Sequence, residues 1–504
     1  MSTLPTNLHL QDSRDPHVQV GIEVIRKLQA AGHQALFAGG CVRDWLLGLR
    51  TPKDIDVATS AGPEEVRAVF PHAKAVGEAF GVMLVRRRRF EFEIATFRSD
   101  MTYRDGRRPE AVELHDSPEV DAKRRDFSIN GIFYDPLAER VLDYVDGLAD
   151  LEAGHVRAIG EPAHRFGEDH LRLLRAVRFA ARFGFEIEPH TWEALGELAP
   201  KLALIAPERI KMELDTILRG PRPDWAMDAM QQAGLMRAVL PEVAALDGLP
   251  HASPHHPEGD VFTHVLRMLK QMRADTEALE AQGHERAASG DEAESDGSEP
   301  EETDSEPWRC LPSEGPLLGA KPATTTLAWA VLMHDAAKAT TFDYGKTGHP
   351  HFYGHDRAGA ELAEAVAERL RFSNEERHRV HELVRLHMRF LHIREMRAST
   401  LKRFLREPHF DEHLALHRLD CLSSGRDLSG LRFALDKLYE YAAATSAESL
   451  RPPPLLTGND LKQLGYKPGP RFKEMLTWLE EQQLEGQLTE RNAAIAALRE
   501  AFPL

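Results

Sequence analysis

The sequence predicts an α+β protein in which an N-terminal head, with a mixed β-sheet and helices, is followed by an all-α neck, body and tail. Two observations support this fold class. Between residues 17 and 150, helical patterns alternate with short apolar runs of strand length, as expected for a sheet covered by helices. From about residue 151 onward, apolar residues recur at helical spacing and strand patterns nearly disappear.

The elements of the head follow from local apolar patterns and from the residues that bound them. Residues 18–31 have the spacing of an amphipathic helix, and the apolar run ALFAG at 35–39 is typical of a buried strand. The pattern then predicts a helix at 42–49, a strand at 54–59, a helix at 63–70 and a hairpin-like pair of strands within 82–97. This order is that of an α/β or α+β unit.

We expect several domains, because the 504 residues exceed what one domain usually holds. They are the head at 17–150, a helical neck at 151–250, a helical domain at 251–450 and a helical tail at 451–504. Residues 275–325 interrupt the third segment with an acidic, almost aliphatic-free stretch, which we expect to be disordered. The stretch RPPPLLTGND at 451–460 reads as a proline-rich hinge before the tail.

Composition limits the cellular setting. The three cysteines, Cys41, Cys310 and Cys421, lie far apart and form no CxxC pair, so we expect a reducing compartment and neither a disulfide framework nor a thiolate zinc site. The N-terminus lacks a basic segment followed by an apolar stretch, and no long apolar run occurs elsewhere. We therefore expect a cytoplasmic protein without a signal peptide or membrane partner, whose oligomeric state stays open.

The net charge of −17 hides strong local contrasts. Residues 274–307 hold thirteen acidic residues and one arginine, a local charge of −12, so the rest of the chain carries only −5. Positive clusters occur at 86–89, at 107–108, at 123–125, and at positions 172, 175 and 178. Because local patches decide whether a polyanion binds, the net charge does not exclude a nucleic-acid partner.

A glycine pair marks a candidate anion site. A predicted strand runs into Gly39 and Gly40 and then into a helix, so backbone N–H groups at the helix start are open to an anion such as a triphosphate. Arg43, in the first helical turn, can add a charge-assisted contact. Taken alone, two glycines before a helix are often only a tight turn.

A pair of carboxylates follows the glycines. Asp54 and Asp56 flank Ile55 on a short apolar strand, and strand alternation puts both carboxylates on one face. Adjacent carboxylates hold hard cations such as Mg²⁺ through oxygen. Two such ions can activate an attacking 3′-hydroxyl and stabilise a departing pyrophosphate. A lone DxD is often a solvated strand edge, but its position shortly after the glycine pair and Arg43 favours nucleotidyl transfer.

A third motif suits recognition of a base. Asp169 offers acceptors and Arg172 offers donors, so the pair can imitate a Watson–Crick edge, and helical spacing predicts that they neighbour each other on one face. Arg175 and Arg178 continue the three-residue series, which drifts by about 60° at each step, so Arg178 can face elsewhere. Alone, the motif would read as a salt-bridged surface helix.

These motifs occur in the order and spacing of a known family. The glycine pair and the two aspartates occur in GGCVRDWLLG…KDIDVAT. The segments that follow are KRRDFSINGIFYD, DGLADLEAGHVRAIG, EDHLRLLRAVRF, which contains Asp169 and Arg172, and APERIKMEL. Over about residues 35–220 the chain resembles the class II tRNA nucleotidyltransferase and bacterial poly(A) polymerase family. The resemblance implies a polymerase β-like head, a neck that binds RNA and nucleotide, Mg²⁺ as cofactor, and tRNA, CTP and ATP as partners.

The resemblance also assigns roles to single residues. Asp54 and Asp56 would be the catalytic, metal-binding carboxylates. Glu93 is a candidate third acidic group, and an ordinary half-exposed strand position explains it equally well. The residues implied to bind the nucleotide are Gly39, Gly40, Arg43, Arg124, Arg125, Asp169, Arg172, Arg175 and Arg178.

Three activities within the family stay open. VGEAFGVM at 76–83 resembles the tRNA-type enzymes, whereas RRRRF at 86–90 partly imitates the basic-aromatic segment of the poly(A) polymerases. The polar segment 99–114 is consistent with the family's mobile loop and favours an enzyme able to add the terminal A. We expect addition of CCA, with A-only addition and poly(A) synthesis as alternatives.

The second half contains a histidine-aspartate series. His264, the adjacent His334 and Asp335, and the distant Asp420 could chelate a second divalent ion, with His355 and His387 between them in the sequence. Their order resembles the HD superfamily of metal-dependent phosphohydrolases, and Lys338 matches its HDxxK variant. The other reading is a helical domain that keeps an HD-like fold without activity. His251, His255 and His256 are interpreted as loop residues.

Two rival functions therefore accompany the main hypothesis. In one, phosphohydrolysis of RNA ends by the HD-like region is the main activity. In the other, the protein is an RNA-binding module whose head has no catalytic activity. The intact pair Asp54 and Asp56 argues against a silent head, since a binding module needs no paired metal carboxylates.

Overall fold

A computed structural model provides the structure of this chain. It describes residues 4–5, 8–49, 54–77, 81–100, 112–251, 259–289, 307–345, 349–444 and 450–503. The chain divides into two units, Met1–Ala244 and Ala245–Leu504. No helix within these described ranges is both long and apolar enough to cross a membrane.

The first unit combines a sheet with helices. Its strands are β1 (Ala35–Ala38), β2 (Val57–Thr59), β3 (Lys74–Gly77), β4 (Val82–Arg87), β5 (Phe90–Thr96), β6 (Arg98–Asp100), β7 (Val112–Leu114), β8 (Phe133–Asp135), β9 (Arg140–Leu142), β10 (His155–Val156) and β11 (Glu186–Ile187). Its helices are α1 (Pro16–Ala30), α2 (Gly40–Leu46), α3 (Pro63–Val69), α4 (Pro118–Arg124), α5 (Gly147–Ala153), α6 (Pro162–Glu168), α7 (Arg172–Phe183), α8 (Pro189–Leu198), α9 (Pro207–Leu218), α10 (Pro223–Gln232), α11 (Leu235–Val239) and α12 (Pro241–Ala244).

Over its described residues, the second unit is helical apart from one small ribbon. Its helices are α13 (Val261–Ser289), α14 (Thr325–Met333), α15 (Lys338–Thr341), α16 (His355–Arg369), α17 (Asn374–Leu386), α18 (Ala398–Leu405), α19 (Phe410–Ser423), α20 (Ser429–Ala443), α21 (Gly458–Gln463), α22 (Pro470–Leu484) and α23 (Arg491–Ala501). The ribbon pairs β12 (Asp343–Tyr344) with β13 (Pro350–His351). The α+β class, with a mixed-sheet head before an all-α part, is confirmed.

The seven strands of the main sheet run in the order β3-β4-β5-β2-β1-β8-β9. β1 is antiparallel to both β2 and β8, whereas β2 is parallel to β5. All four residues of β1 are buried, as expected for a central strand covered on both faces. The ends of β1, β2, β5 and β8 therefore meet at one edge of the sheet, where the motifs of the head lie.

Helix α1 covers one face of this sheet. Its buried residues include Val18, Ile22 and Ile25, which recur at helical spacing. A Cβ atom at Gly21 would lie 2.9 Å from Cε1 of Phe37 and 3.2 Å from Cε1 of Phe92. The helix therefore packs closely on β1 and β5, and Glu93, next to Phe92 on β5, lies on the opposite face of the sheet.

The predicted strand at 54–59 is shorter than expected. β2 begins only at Val57, and Asp54 to Asp56 form the extended segment that enters it. The backbone N–H of Ala38 still donates to the carbonyl of Asp56 (3.1 Å), which fixes this segment beside β1.

The expectation of disorder over 275–325 is wrong at both ends of that segment. Helix α13 continues to Ser289, and Trp308 and Leu318 lie in the core of the second unit. The cause is tertiary: the guanidinium of Arg418, 2% exposed, donates to both carboxylate oxygens of Asp275 (2.8 and 3.1 Å) and to the carbonyl of Leu318. Residues 290–306, the most acidic part, lie outside the described residues.

This buried contact gives a stability prediction. Replacing Arg418 by Met leaves the Asp275 carboxylate buried without its charged partner, so we expect a loss of about 3–5 kcal/mol in the free energy of unfolding. Urea titration of the second unit's unfolding measures this loss. Arg432 lies exposed on α20, and the control Arg432→Met should change the free energy by less than about 0.5 kcal/mol. Equal losses in the two variants would contradict the structural role of Arg418.

Candidate active site

The turn between β1 and α2 requires glycine. Gly39 has a φ of 69° and a ψ of −124°, and α2 begins directly after it at Gly40. A Cβ atom at position 39 would lie 2.6 Å from Nη1 of Arg125. Since both the positive φ and the close approach exclude a side chain, the guanidinium of Arg125 can pack directly against this turn, while the backbone N–H of Gly39 donates to the carbonyl of Ile132 (3.0 Å).

Asp54 and Asp56 both point to the accessible side of the sheet edge. Both are exposed, whereas Ile55 between them is buried. Partial desolvation within the cleft, together with the charges of Glu93 and Asp54, raises the pKa of Asp56 to about 6, against the opposing effect of Arg125. The two carboxylates therefore share one side of the chain and interact through their charges.

Glu93 is the third acidic group at this edge. Val57 of β2 pairs with Ile94 of β5, so the residues directly before them, Asp56 and Glu93, face each other across neighbouring strands. Glu93 is exposed, and its charge raises the pKa of Asp56 more than that of Asp54 does. The geometry thus favours the prediction that Glu93 is a third acidic group beside the aspartates over its interpretation as an ordinary strand position.

A cleft of about 660 Å³ opens beside the aspartates. Its lining residues are Gly39, Gly40, Arg43, Asp54, Asp56, Arg124, Arg125, Asp126, Asn130, Arg172, Arg175, Arg178, Phe179 and Arg182. Seven arginines face three aspartates in this lining, so the cleft is positively charged. Such a cleft suits a polyanion bound next to a carboxylate pair.

Arg43 is held more firmly than the sequence indicated. Its Nε and Nη2 donate to Oδ1 of Asp44 (2.8 and 2.6 Å), and Nη1 donates to Oδ1 of Asn130. The guanidinium also lies 5.2 Å from the ring centre of Phe179 and 4.6 Å from that of Phe183. Arg43 therefore lines the cleft from a fixed position.

Arg124 and Arg125 share one buried carboxylate. Asp121 on α4 is 1% exposed, and it accepts hydrogen bonds from Nε of Arg124 (2.8 Å) and Nη2 of Arg125 (2.9 Å). Burial alone would raise the pKa of Asp121, but the two arginines outweigh burial and lower it. The shared partner orients both arginines toward the cleft.

Asp126, Asn130, Phe179 and Arg182 line the cleft but were not predicted as site residues. Asp126 is buried and accepts from Nε (2.8 Å) and Nη2 (2.5 Å) of Arg175, and its Oδ1 accepts from Asn130 (3.0 Å). Asp126 and Asn130 lie within the motif KRRDFSINGIFYD. The signal is thus present in the sequence, but only the fold shows that Asp126 binds Arg175 of α7 and that Asn130 binds Arg43 of α2.

The predicted common helical face of Asp169 and Arg172 is wrong. Asp169 lies in extended conformation after α6, and α7 begins only at Arg172. Asp169 accepts from Nη2 (2.6 Å) and Nη1 (3.2 Å) of Arg209 on α9, whereas Arg172 donates to Glu168 and to the carbonyl of Arg165 (2.7 Å). Arg172 lines the cleft together with Arg175 and Arg178. The drift of the three-residue series around α7 therefore does not turn Arg178 away from the cleft.

The second unit brings the predicted HD residues together. His264, His334 and Asp335 form a buried group whose ligand atoms lie within 4.8 Å of one another, and Asp335, His355 and His387 form another. Nε2 of His264 lies 3.4 Å from Oδ1 of Asp420, which joins the fourth predicted residue to the cluster.

His251 is a neighbour of the cluster that the sequence interpretation missed. It lies between α12 and α13, in a loop as predicted, but nothing in the sequence indicated that it joins the cluster. It is buried, its ring centre lies 5.3 Å from that of His264, and its Nε2 lies 3.9 Å from Oδ2 of Asp335. His255 and His256 lie outside the described residues.

Backbone carbonyls orient the histidines of this cluster. Nδ1 of His334, His355 and His387 lies 2.9, 2.8 and 2.6 Å from the carbonyl oxygens of Val331, Phe352 and Val384. Nε2 of each ring therefore faces the cluster. Burial raises the pKa of Asp335, but His334 and Lys338 outweigh burial and hold it well below its usual range.

Three family models match this chain. Residues 35–157 match the poly A polymerase head domain, residues 184–246 match the probable RNA and SrmB-binding site of polymerase A, and residues 359–498 match the putative domain 2 of tRNA nucleotidyltransferase. The chain is thus similar, in this order, to a poly A polymerase head domain, to a probable RNA-binding segment of that polymerase and to a domain of tRNA nucleotidyltransferase.

The curated relatives are CCA-adding enzymes. The chain is 44% identical over 205 residues to the CCA-adding enzyme of Leuconostoc mesenteroides, covering 41% of this chain and 51% of the relative. It is 41% identical over 229 residues to that of Geobacillus stearothermophilus, covering 45% and 56%. The chain thus spans about half the length of the curated relatives it matches.

Solved structures show a similar fold. The Bacillus stearothermophilus CCA-adding enzyme in complex with CTP aligns with a TM-score of 0.63 at 24% identity, over 97% of this chain and 98% of that chain. The Thermotoga maritima CCA-adding enzyme complexed with tRNA aligns with a TM-score of 0.57 at 18% identity, over 99% and 100%.

The glycine turn gives a prediction with a matched control. Gly39 and Gly48 have similar φ values, 69° and 67°, but a Cβ atom at Gly48 would have no neighbour within 4 Å. Substitution by Ala should cost each variant about 1–2 kcal/mol of stability through backbone strain. Only Gly39→Ala displaces Arg125, so only this variant should lose CTP affinity in a titration calorimetry experiment. Equal CTP affinities would contradict the proposed role of this turn.

Proposed function

We propose that this protein is a tRNA nucleotidyltransferase that adds CCA, or its terminal A, to the tRNA 3′ end from CTP and ATP. The observation that carries the proposal is the group Asp54, Asp56 and Glu93 at the sheet edge beside a cleft lined by seven arginines. The relatives named as CCA-adding enzymes support it. A cytoplasmic location belongs to the same proposal, and it is consistent with three free cysteines.

The acidic group fits a divalent cation. Its donors are carboxylate oxygens, which Mg²⁺ prefers, and they are accessible to solvent. Desolvation and the repulsion from Glu93 and Asp54 raise the pKa of Asp56, and a cation would relieve that repulsion. We propose Mg²⁺ held by Asp54 and Asp56, with Glu93 as a third ligand. When bound, the metal supplies positive charge at the reacting phosphate and at the attacking hydroxyl.

The arginines and the glycine turn would bind the triphosphate. Arg124, Arg125 and Arg175 are each held by a buried carboxylate, so their positions are set before the ligand arrives. A preorganised positive cleft neutralises phosphate charge without reorganisation during the reaction. The absence of side chains at Gly39 and Gly40, both in the cleft lining, would let the phosphates approach this turn closely.

Asp169 and Arg172 would read the base edge. Arg209 and Glu168 orient them without exhausting their hydrogen-bonding capacity, because each carboxylate oxygen accepts about two bonds and a guanidinium has five donors. A site that pairs with both donors and acceptors of a base rejects bases that leave those groups unpaired. This arrangement supports selection among nucleotides by protein side chains.

The test is incorporation of labelled CTP and ATP into tRNA that lacks its 3′ end. Because the paired carboxylates act on the reacting atoms, we expect Asp54→Asn and Asp56→Asn each to lower the rate by more than about a thousandfold. RNA binding should stay within about twofold. The control Asp12→Asn, at an exposed position of the same unit, should retain full activity. Incorporation that survives both substitutions would exclude the proposed metal ligands.

The order of nucleotides added separates the three family activities. Sequencing of products should show CCA on tRNA from which the whole CCA end has been removed, whereas A-only addition needs a substrate that already ends in CC. A long run of A would instead identify a poly(A) polymerase.

We propose a second site in the buried cluster of the second unit. His264, His334, Asp335 and Asp420 would hold a divalent transition metal, with His355 and His387 adjacent. Mixed imidazole and carboxylate donors suit such metals, and hydrogen bonds from the far ring nitrogen to backbone carbonyls are the usual support of metal-bound histidines. Phosphohydrolysis at RNA ends is the activity that such a centre would supply.

Metal content tests this second site. Purified protein should contain at least about one equivalent of transition metal by mass spectrometry, and His334→Gln should lose it. His417 is also buried but stacks on Phe390, so His417→Gln should retain the metal. Unchanged metal content in His334→Gln would contradict the site.

Activity distinguishes the two centres. Hydrolysis of a 2′,3′-cyclic phosphate RNA end should survive Asp54→Asn and vanish in Asp335→Asn, with the reverse pattern for CTP incorporation. Loss of both activities in one variant would indicate unfolding, which circular dichroism detects. If the protein binds the metal but does not hydrolyse the RNA end, the metal is structural and the proposed phosphohydrolase function is excluded.

A further inference from the structure

We propose that the tip of the β4–β5 hairpin, Arg86–Arg89, holds the phosphate backbone of the RNA whose 3′ end is extended. The inference rests on the proposed nucleotidyl transfer and identifies where its RNA substrate enters. It follows from the strand order of the sheet, from the direction of the reaction and from the charge of the hairpin.

The strand order separates two sides of the catalytic edge. The residues that line the arginine cleft follow β1, precede β2 and β8, or lie on α7. In the sheet, β5 and then β4 lie on the opposite side of β2 from β1. The aspartates before β2 therefore stand between the cleft and the β4–β5 hairpin.

The reaction needs access to both sides of Asp54 and Asp56. In nucleotidyl transfer, the attacking and leaving oxygens lie roughly in line at the reacting phosphorus. If the triphosphate lies in the arginine cleft, the pyrophosphate leaves toward that cleft. The 3′-hydroxyl must then approach from the other side of Asp54 and Asp56, across β5 and β4.

The register places an arginine on the catalytic face of the hairpin. Leu84 pairs with Glu93, and Arg86 pairs with Glu91. Cross-strand partners share a face, and alternate residues of one strand share it too. Arg86 thus lies on the same face as Glu93. Asp56 directly precedes Val57, the partner of Ile94, and so lies beside Glu93. With neighbouring strands about 4.8 Å apart, Leu84 is roughly 10 Å across the sheet from Asp56, and Arg86 lies two residues further along β4.

The hairpin tip continues this charge beyond the sheet edge. All four arginines are exposed. Arg88, with a φ of 55° at the turn, pairs with Glu23 of α1 (2.6 Å), and Arg89 lies over the ring of Phe90 (5.1 Å). These contacts hold the tip in place. Arg86, on the catalytic face at the end of β4, is the arginine best placed for a phosphate near the 3′ end. Arg87 alternates to the other face, and together with Arg89 it extends the positive charge around the tip.

The expected partner is therefore the sugar-phosphate backbone near the RNA 3′ end. Arginine forms bidentate hydrogen bonds with phosphate, and such binding carries no base information. It makes the affinity depend on salt, and the slope of that dependence falls by somewhat less than one for each phosphate that the protein no longer neutralises. A merely solvated hairpin would leave that slope unchanged.

The test compares two variants with the same change of charge. The first is Arg86→Gln/Arg87→Gln/Arg89→Gln, which keeps the Arg88–Glu23 pair. The second is Arg14→Gln/Arg26→Gln/Lys27→Gln, at exposed positions on α1 or before it, and α1 covers the other face of the sheet. Both variants should match the wild type in circular dichroism and in melting temperature.

We expect the hairpin variant alone to raise KM for tRNA lacking its 3′ end by about tenfold or more, with kcat and the KM for CTP within about twofold. Its salt slope of RNA binding should fall by about two. An acceptor-stem minihelix should show the same weakening, because the hairpin lies beside the 3′ end. Replacement of the three arginines by Lys should restore most of the affinity, since the charge returns.

Three outcomes would overturn the inference. They are equal RNA affinity in the two variants, a change confined to the KM for CTP, and a weakening that disappears with the minihelix. Failure of the wild type to incorporate any nucleotide is a separate result, because it removes the proposed function itself.

Discussion

The cleft depends on a balance between seven arginines and a few buried carboxylates. So many guanidinium groups around one cavity repel one another, and the fold offsets this repulsion with acidic partners placed behind them. Asp121 holds Arg124 and Arg125, and Asp126 holds Arg175. A buried carboxylate is costly unless it is paired, so each side of these pairs requires the other. The result is a positive cleft in which buried carboxylates of the protein itself hold Arg124, Arg125 and Arg175.

The same balance explains why the carboxylates of the sheet edge differ from those behind the arginines. Arg175 and Asn130 outweigh the burial of Asp126 and hold its pKa below its usual range, whereas the pKa of Asp56 is raised. The carboxylate of Asp126 accepts hydrogen bonds from Arg175 and Asn130, whereas the carboxylate of Asp56 lies near the acidic groups of Glu93 and Asp54 as well as near Arg125. Asp56 therefore belongs to a group that gains from a cation, and Asp126 belongs to the scaffold that positions the cleft.

Local pattern was sufficient for the features that neighbours in sequence determine. β1, the glycine turn and the pair Asp54 and Asp56 follow from alternation and from a positive φ, both of which depend on a few adjacent residues. The pairing of Asp169 with Arg209 depends on α9 lying beside the start of α7. Helical spacing alone suggested a different geometry, because nothing near Asp169 in the sequence shows that the helix breaks there.

The second unit shows the same limit for disorder. Low aliphatic content predicted a mobile segment over 275–325, but composition does not report on a partner more than a hundred residues away. Arg418 on α19 binds Asp275, and water cannot replace it there because the pair is almost fully buried. This charged pair at the start of the acidic stretch thus adds to the apolar packing that holds α13 against α19. The histidine-aspartate cluster also depends on contacts between distant parts of the chain. His264 lies on α13, His334 and Asp335 directly follow α14, His355 begins α16, and Asp420 lies on α19. The chemistry of this cluster was visible in the sequence, whereas its assembly required the packing of those helices.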